Sequence, residues 1–172
     1  MPDLVKEAGL ASIPVGKIYD IFAGRGMSEC NRTVNNEDGM DKTMAIAERD
    51  FTGLCFVNLV DFDMTYGHRN DVPGYAAAMT AFDRRLGEFL PKMKEDDYLI
   101  ITADHGCDPS TPSTDHSREY TPMIFVGKKL RKGVDLGTRK TFADISATVL
   151  DILGVPQGET AGTSFLDLCL DK

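Results

Sequence analysis

The sequence predicts an α/β fold built on a mostly parallel sheet. Short apolar runs rich in β-branched residues recur at 10–15, 54–60, 99–102 and 121–126. Near-continuous apolarity over such a length is the pattern of a strand buried on both faces. Helical patterns stand between them, at 38–49 and 72–93, and a further one follows at 141–153. Two of the runs end abruptly in acid and imidazole: 54–60 leads into Asp61, Asp63 and His68, and 99–102 into Asp104-His105-Gly106. Delivery of polar groups from a buried strand end is how α/β proteins place their chemistry at the carboxyl edge of a sheet.

Taken in order, residues 4–8 carry the last turns of a helix that stops at Gly9. The first half of that helix is missing, so the chain is expected to begin within a structural unit. Residues 10–15 form the first strand, closed by Gly16 and Lys17. Lys17 is a candidate for contact with a phosphate, because a flexible ammonium can reach an anion above a strand end; a solvated surface lysine is the plainer alternative. Residues 18–24 form a short helix or strand, and 25–37 a polar loop. The helix at 38–49 presents Met40, Met44, Ile46 and Ala47 as apolar filling. In the long helix at 72–93, Pro73 suits an early position, and Tyr75, Met79, Phe82, Leu86, Phe89 and Leu90 recur at helical spacing. That spacing leaves Arg84 and Arg85 on its solvated side. Residues 128–140 read as a basic surface connection. The helix at 141–153 turns Phe142, Ile145, Val149, Leu150 and Leu153 inward before Gly154 stops it. The tail from Gly162 carries no legible chemistry. With no repeat, low-complexity stretch or composition shift, residues 1–172 are expected to form a single domain.

A chain of 172 residues is long enough to bury one sizeable core. Its 42% hydrophobic and 27% charged residues match an ordinary soluble globular protein. A formal net charge of −8 argues against nucleic acid or an anionic membrane surface as the main partner. No apolar run approaches a membrane span, and no signal-peptide pattern opens the chain. Cys30, Cys55, Cys107 and Cys169 are widely spaced without a C-x-x-C pair, so they read as reduced thiols, and the expected location is the cytoplasm. Cys107, two residues past His105, is expected to line the site without binding metal, since the neighbouring oxygen and nitrogen donors suit a harder ion than thiolate prefers.

The two acid-and-imidazole strand ends are separated by the long helix, the arrangement of a βαβ unit whose crossover makes the strands parallel. If those strands are near neighbours, Asp63, His68, Asp104, His105 and His116 converge. All three histidines of the chain fall in that set. The donor mix suits zinc, manganese or iron. Five donors exceed a simple structural site and fall short of two complete shells. They predict a binuclear site with donors missing from this chain, the usual clamp for an in-line phosphoryl displacement. The plainer reading of each strand end alone is an exposed Asp-His pair.

Four stretches in this order, Asp63-Met-Thr-Tyr-Gly-His68, Thr102-Ala-Asp-His-Gly-Cys-Asp-Pro109, Thr114-Asp-His-Ser-Arg-Glu-Tyr120 and Thr141-Phe-Ala-Asp-Ile-Ser-Ala-Thr148, resemble the phosphopentomutase family of the alkaline phosphatase superfamily. The resemblance reaches Gly162-Thr-Ser-Phe165 and covers essentially the whole chain. An Asp-His-Gly turn is superfamily-wide. Asn58-Leu-Val-Asp-Phe-Asp63, together with the loop from Thr114 to Tyr120, is what points to this branch. The resemblance implies an alkaline phosphatase-like core, its sheet flanked by helices on both faces. It implies two divalent ions, manganese, one held by Asp104 and His105 and the other by Asp63, His68 and His116, with Lys17 near the substrate phosphate. The implied activity interconverts ribose 1-phosphate, or the 2-deoxy sugar, with the 5-phosphate through a phosphorylated threonine of the enzyme.

The family's first-strand aspartate, its threonine nucleophile and its cap domain have no counterpart here. The core is therefore expected to be incomplete at its N-terminal side, with no catalytic nucleophile in this chain; Thr65, Thr102 and Thr114 are assigned structural roles. The isolated chain is expected to be inactive, and either complemented by an N-terminal segment or prone to self-association through an uncovered sheet edge. Alternatives are a catalytically silent metal-binding fragment, a superfamily phosphatase and a phosphoglycerate-type mutase.

Overall fold

A computed structural model describes residues 1–170 of the chain. In order, its main elements are α1 (Pro2–Glu7), β1 (Ala11–Val15), α2 (Ile18–Ile21), α3 (Asn36–Ala47), β2 (Gly53–Val57), α4 (Val72–Phe89), β3 (Tyr98–Thr102), β4 (Met123–Gly127), α5 (Ala143–Ile152) and α6 (Leu166–Cys169). They gather into two compact bodies. The first contains Met1–Arg32, Arg49–Phe56 and the stretch from Lys129 on; the second contains Thr33–Glu48 and Val57–Lys128. No helix of the described chain is long and apolar enough to cross a membrane.

In the first body β1 pairs with β2. Val5 and Leu150 are fully buried and pack with Val155, while Leu4, Leu10, Leu54 and Leu153 close around them. Burying a side chain of this size is worth about 1.5–3 kcal/mol. A polar network docks the tail onto α5. The Asp144 carboxylate accepts from the Thr163 amide at 2.9 Å and from Arg139 Nε at 2.8 Å. The Thr148 hydroxyl donates to the Asp144 carbonyl at 2.8 Å and accepts from the Phe165 amide at 3.0 Å. Thr148 and Phe165 are both fully buried. Thr148→Val keeps the shape but removes the hydroxyl that accepts from the buried Phe165 amide, so chemical denaturation is expected to show a loss of about 1–3 kcal/mol. Unchanged stability would mean that the hydroxyl does not hold the tail.

In the second body α3 begins at Asn35, whose side chain accepts from the Asp38 amide at 2.9 Å. Asp71 does the same for α4, accepting from Gly74 at 2.9 Å, with Pro73 in the first turn where a missing N–H costs nothing. Arg85 departs from its expected solvated position: its side chain is only 13% exposed and pairs with Glu37 and Asp41 of α3. Arg84 stays exposed. β3 and β4 are antiparallel, from Tyr98 opposite Gly127 to Thr102 opposite Met123. Tyr98 stacks on Phe125 across the pair with ring centroids 5.9 Å apart.

The fold class is α/β, but the described sheet is small and mixed. β2 and β3, expected as parallel neighbours, are not hydrogen-bonded to each other; each pairs within its own two-stranded ladder. Continuous apolarity carries no information on strand direction, and β2, β3 and β4, expected to be buried on both faces, are mostly half-buried, with Ile124 52% exposed. The loop between β3 and β4 is long enough to return the chain antiparallel.

Candidate metal centre

The candidate site lies within the second body and is assembled from two loops. The first follows β2. After Asp61 the chain tightens into a π-turn, Phe62–Tyr66, and then a 3-10 turn, Gly67–Arg69. Single π-turns put side chains where a regular helix would not, and they recur at functional sites. Phe62 anchors this one on α4, its ring 5.7 Å from Tyr75 and 6.2 Å from Phe82. Asp61 ties it to the start of α3: its carboxylate accepts from the Asn36 amide at 2.7 Å, and its own amide donates to Asn36 Oδ1 at 3.0 Å. A carboxylate there also satisfies an orphan N–H at the positive end of a helix. Asp63 and His68 thus leave a rigid, doubly anchored turn.

The second loop runs from β3 to β4. Asp104 and His105 stand just past β3, and an isolated bridge between Gly106 and Ser117 folds the intervening arc back on itself. A Cβ at Gly106 would meet the Ser117 carbonyl and the Glu119 amide, so no larger residue fits this crossing. The Ser117 hydroxyl accepts from the Asp108 amide at 2.7 Å and donates to the Glu119 carboxylate. His116 is carried on this closed loop. Gly67 is bare for a related reason: a Cβ there would strike Cys107 Sγ.

Asp63, His68 and His116 converge, with one donor atom from each lying within 4.8 Å of the others. Asp63 Oδ1 is buried and accepts no hydrogen bond. Nε2 of His68 and Nε2 of His116 each lie 3.3 Å from it. His68 Nδ1 is 2.5 Å from the Thr114 carbonyl oxygen. A carbonyl can only accept, so this partner assigns the proton of the neutral ring to Nδ1 and leaves a lone pair on Nε2, facing the carboxylate. In that tautomer two acceptors face each other across the gap, and they repel unless a proton or a metal cation lies between them. A carbonyl that orients the distal nitrogen of a ligating imidazole is the usual outer support of a metal site. The orphaned oxygen, the assigned tautomer and the nitrogen–oxygen donor set all fit a divalent ion.

Asp104 and His105 fall outside that triad. His105 Nε2 is 3.6 Å from Asp104 Oδ1, and its Nδ1 is 3.0 Å from the Gly106 carbonyl. The His105 ring stacks on His116 with centroids 3.6 Å apart and planes 18° off parallel. The pair therefore adjoins the triad through His116, with Asp104 itself 73% exposed. Lys17 belongs to the first body, exposed at the end of β1, where its carbonyl accepts from the Ile21 amide.

Burial first, then the negative charge of Asp63 and its acidic neighbours, pushes the Cys107 thiol upward. In the first body burial pushes Cys55 up to about 12. All four cysteines are free thiols. Asp61 and Ser117, which brace the two loops, stand within the motifs without a role legible from them, and Asn70 carries no signal in the sequence beyond being a turn-forming residue.

Residues 14–157 match the model of the metalloenzyme superfamily. A phosphopentomutase of Lachnoclostridium phytofermentans is 56% identical over 172 residues, which is 100% of this chain and 44% of that protein. A phosphopentomutase of Carboxydothermus hydrogenoformans is 56% identical over 163 residues, 95% of this chain and 42% of the relative. One from Thermotoga maritima is 54% identical over 167 residues, 96% of this chain and 43% of the relative. The chain thus spans less than half the length of these curated relatives. A superfamily match over most of the chain and a buried carboxylate oxygen met by two imidazoles lead to the same place: the chain belongs to the metalloenzyme superfamily.

Proposed function

We propose that residues 1–172 are part of the metal-binding core of a phosphopentomutase, interconverting ribose or 2-deoxyribose 1-phosphate with the 5-phosphate by phosphoryl transfer at a binuclear manganese site. The observation that carries this reading is the convergence of Asp63, His68 and His116 on a buried oxygen that has no hydrogen bond. Similarity to relatives named phosphopentomutase supports the substrate class. In this reading Asp63, His68 and His116 hold one Mn2+, and Asp104 and His105 supply part of the shell of the other. Bound ions of this kind neutralise charge on a transferring phosphoryl group and align the attacking and leaving oxygens.

The chain's own residues then have distinct tasks. The Thr114 carbonyl keeps His68 in the tautomer that presents Nε2. Cys107 contributes a neutral wall. Lys17 keeps only the role that the family resemblance implies, a point charge for the substrate phosphate. None of Thr65, Thr102 and Thr114 is proposed as the phosphoryl acceptor, which is expected from polypeptide outside these residues, either a complementing N-terminal segment or a longer parent. Neither nucleic acid nor a membrane is a proposed partner, and a cytoplasmic setting is supported by the free thiols.

The 172-residue chain is expected to bind Mn2+ in calorimetry and to show no pentose phosphate interconversion by itself. Turnover by the purified chain would overturn the assignment of the nucleophile. A second reading, a metal-binding but catalytically silent chain, is favoured by its covering 44% of the first relative. Supplying the remaining length of such a relative in trans separates the two: recovered mutase activity supports the first, and Mn2+ binding without activity supports the second.

A further inference from the structure

Between His68 and the start of α4 the chain must reverse, and Asn70 makes the reversal in the left-handed region at φ 52° and ψ 32°. Asparagine enters that region more readily than most residues bearing a Cβ. Its backbone amide donates to the Gly67 carbonyl at 3.1 Å, closing the 3-10 turn. Its side chain meets the other loop of the site. Asn70 Nδ2 lies 2.6 Å from the carbonyl oxygen of Thr111, 3.1 Å from that of Ser113 and 3.3 Å from that of Pro109. Three carbonyl oxygens gathered around one point repel one another unless a donor occupies it. The amide supplies two hydrogens to be shared among them. The next carbonyl along, that of Thr114, takes the His68 Nδ1 proton, and His116 follows two residues later.

We propose that Asn70 is a positioning residue of the metal centre. Its amide holds the arc 109–113, which sets the Thr114 carbonyl against His68 and brings His116 Nε2 to Asp63. One side chain thereby couples the geometry of two ligands that stand on different loops. This inference rests on the reading of Asp63, His68 and His116 as a divalent-cation site.

Two variants test it. Asn70→Gly keeps the left-handed backbone and deletes the amide; Asn70→Asp keeps the shape and turns a carboxylate toward three carbonyl oxygens. Co2+, whose visible absorption reports ligand number and geometry, is titrated into the 172-residue chain in each form. Both variants are expected to bind about 10–100-fold more weakly, the usual cost of losing an outer support. Their saturated spectra are expected to differ from that of the unaltered chain, Asn70→Asp the more. Asp71→Ala serves as the control: it removes the cap of α4 next door while bonding none of the three carbonyls, so it is expected to lower the melting temperature and leave the Co2+ spectrum in place. Unaltered affinity and spectrum in both Asn70 variants would overturn the positioning role and leave the metal reading standing. The same spectral change in Asp71→Ala would overturn it too, reducing Asn70 to general support of the turn. An unaltered chain that takes up no Co2+ would remove the metal reading, and this inference with it.

Discussion

Asp63→Asn is expected to weaken Mn2+ binding by more than 100-fold, beyond the 10–100-fold that outer supports cost, because it removes the charged ligand itself. The same change is expected to leave the metal-free chain about as stable as before. Asp63 Oδ1 itself is buried without a hydrogen bond although the side chain is 30% exposed, so with no cation bound the fold gains little from its charge and a neutral amide of the same shape is tolerated. Binding falls while stability holds, which sets a binding residue apart from a structural one. Thermal melts with and without Mn2+ read both. The unaltered chain is expected to gain about 2.7 kcal/mol when Mn2+ is at 100 times its dissociation constant. The variant is expected to gain at most about 0.4 kcal/mol at that concentration. Equal metal-induced stabilisation in the two forms would show that Asp63 is not a ligand.

Asp144→Ala is expected to cost on the order of 3 kcal/mol in denaturant unfolding, the range for removing one partner of a buried pair. Its side chain is 7% exposed, and its loss would take the anionic partner from Arg139 and the acceptor from the Thr163 amide. The same carboxylate gives stability a pH dependence. The Thr163 amide, with Arg139 assisting, holds it below the usual carboxylate range against the opposing effect of burial. A group whose folded pKa is lowered stabilises the fold fully above its unfolded-chain value, about 3.9 for aspartate, and loses that contribution as pH falls through the folded value. Acid titration of the unaltered chain is therefore expected to show a loss of stability below about pH 4 that is smaller in Asp144→Ala. Coincident acid transitions in both forms would show that Asp144 carries no such linkage. Arg139 was expected in a basic surface connection. Its guanidinium also lies 5.7 Å from the centre of the Phe165 ring, so part of that connection is drawn into the fold.

Much of the second body was legible in its residues. Apolar positions at helical spacing marked α4, and α3 was placed to within two residues, expected from 38 and found from Asn36 behind its Asn35 cap. Arg85 was not legible, because helical spacing shows only that it lies off the main apolar face. Whether that side meets water or a second helix depends on where α3 packs, and the carboxylates of Glu37 and Asp41 come within ion-pair reach only through that packing, whereas Glu88 is a neighbour one turn along α4 itself. Strand pairing was hidden for a similar reason: a buried run looks the same from either direction.

The residues alone established which donors exist and that they are the right kind: carboxylates and imidazoles following two apolar strands, in the order of a known family. Folding chose among them. It brought Asp63, His68 and His116 around one oxygen, left Asp104 facing solvent beside His105, and supplied supports: Asn70, which lies outside every motif, and the backbone carbonyl of Thr114, whose role no side-chain pattern shows. Chemical type is a property of each side chain and survives in a linear string. Distance is a property of how the chain turns, and here a π-turn and one left-handed residue set it.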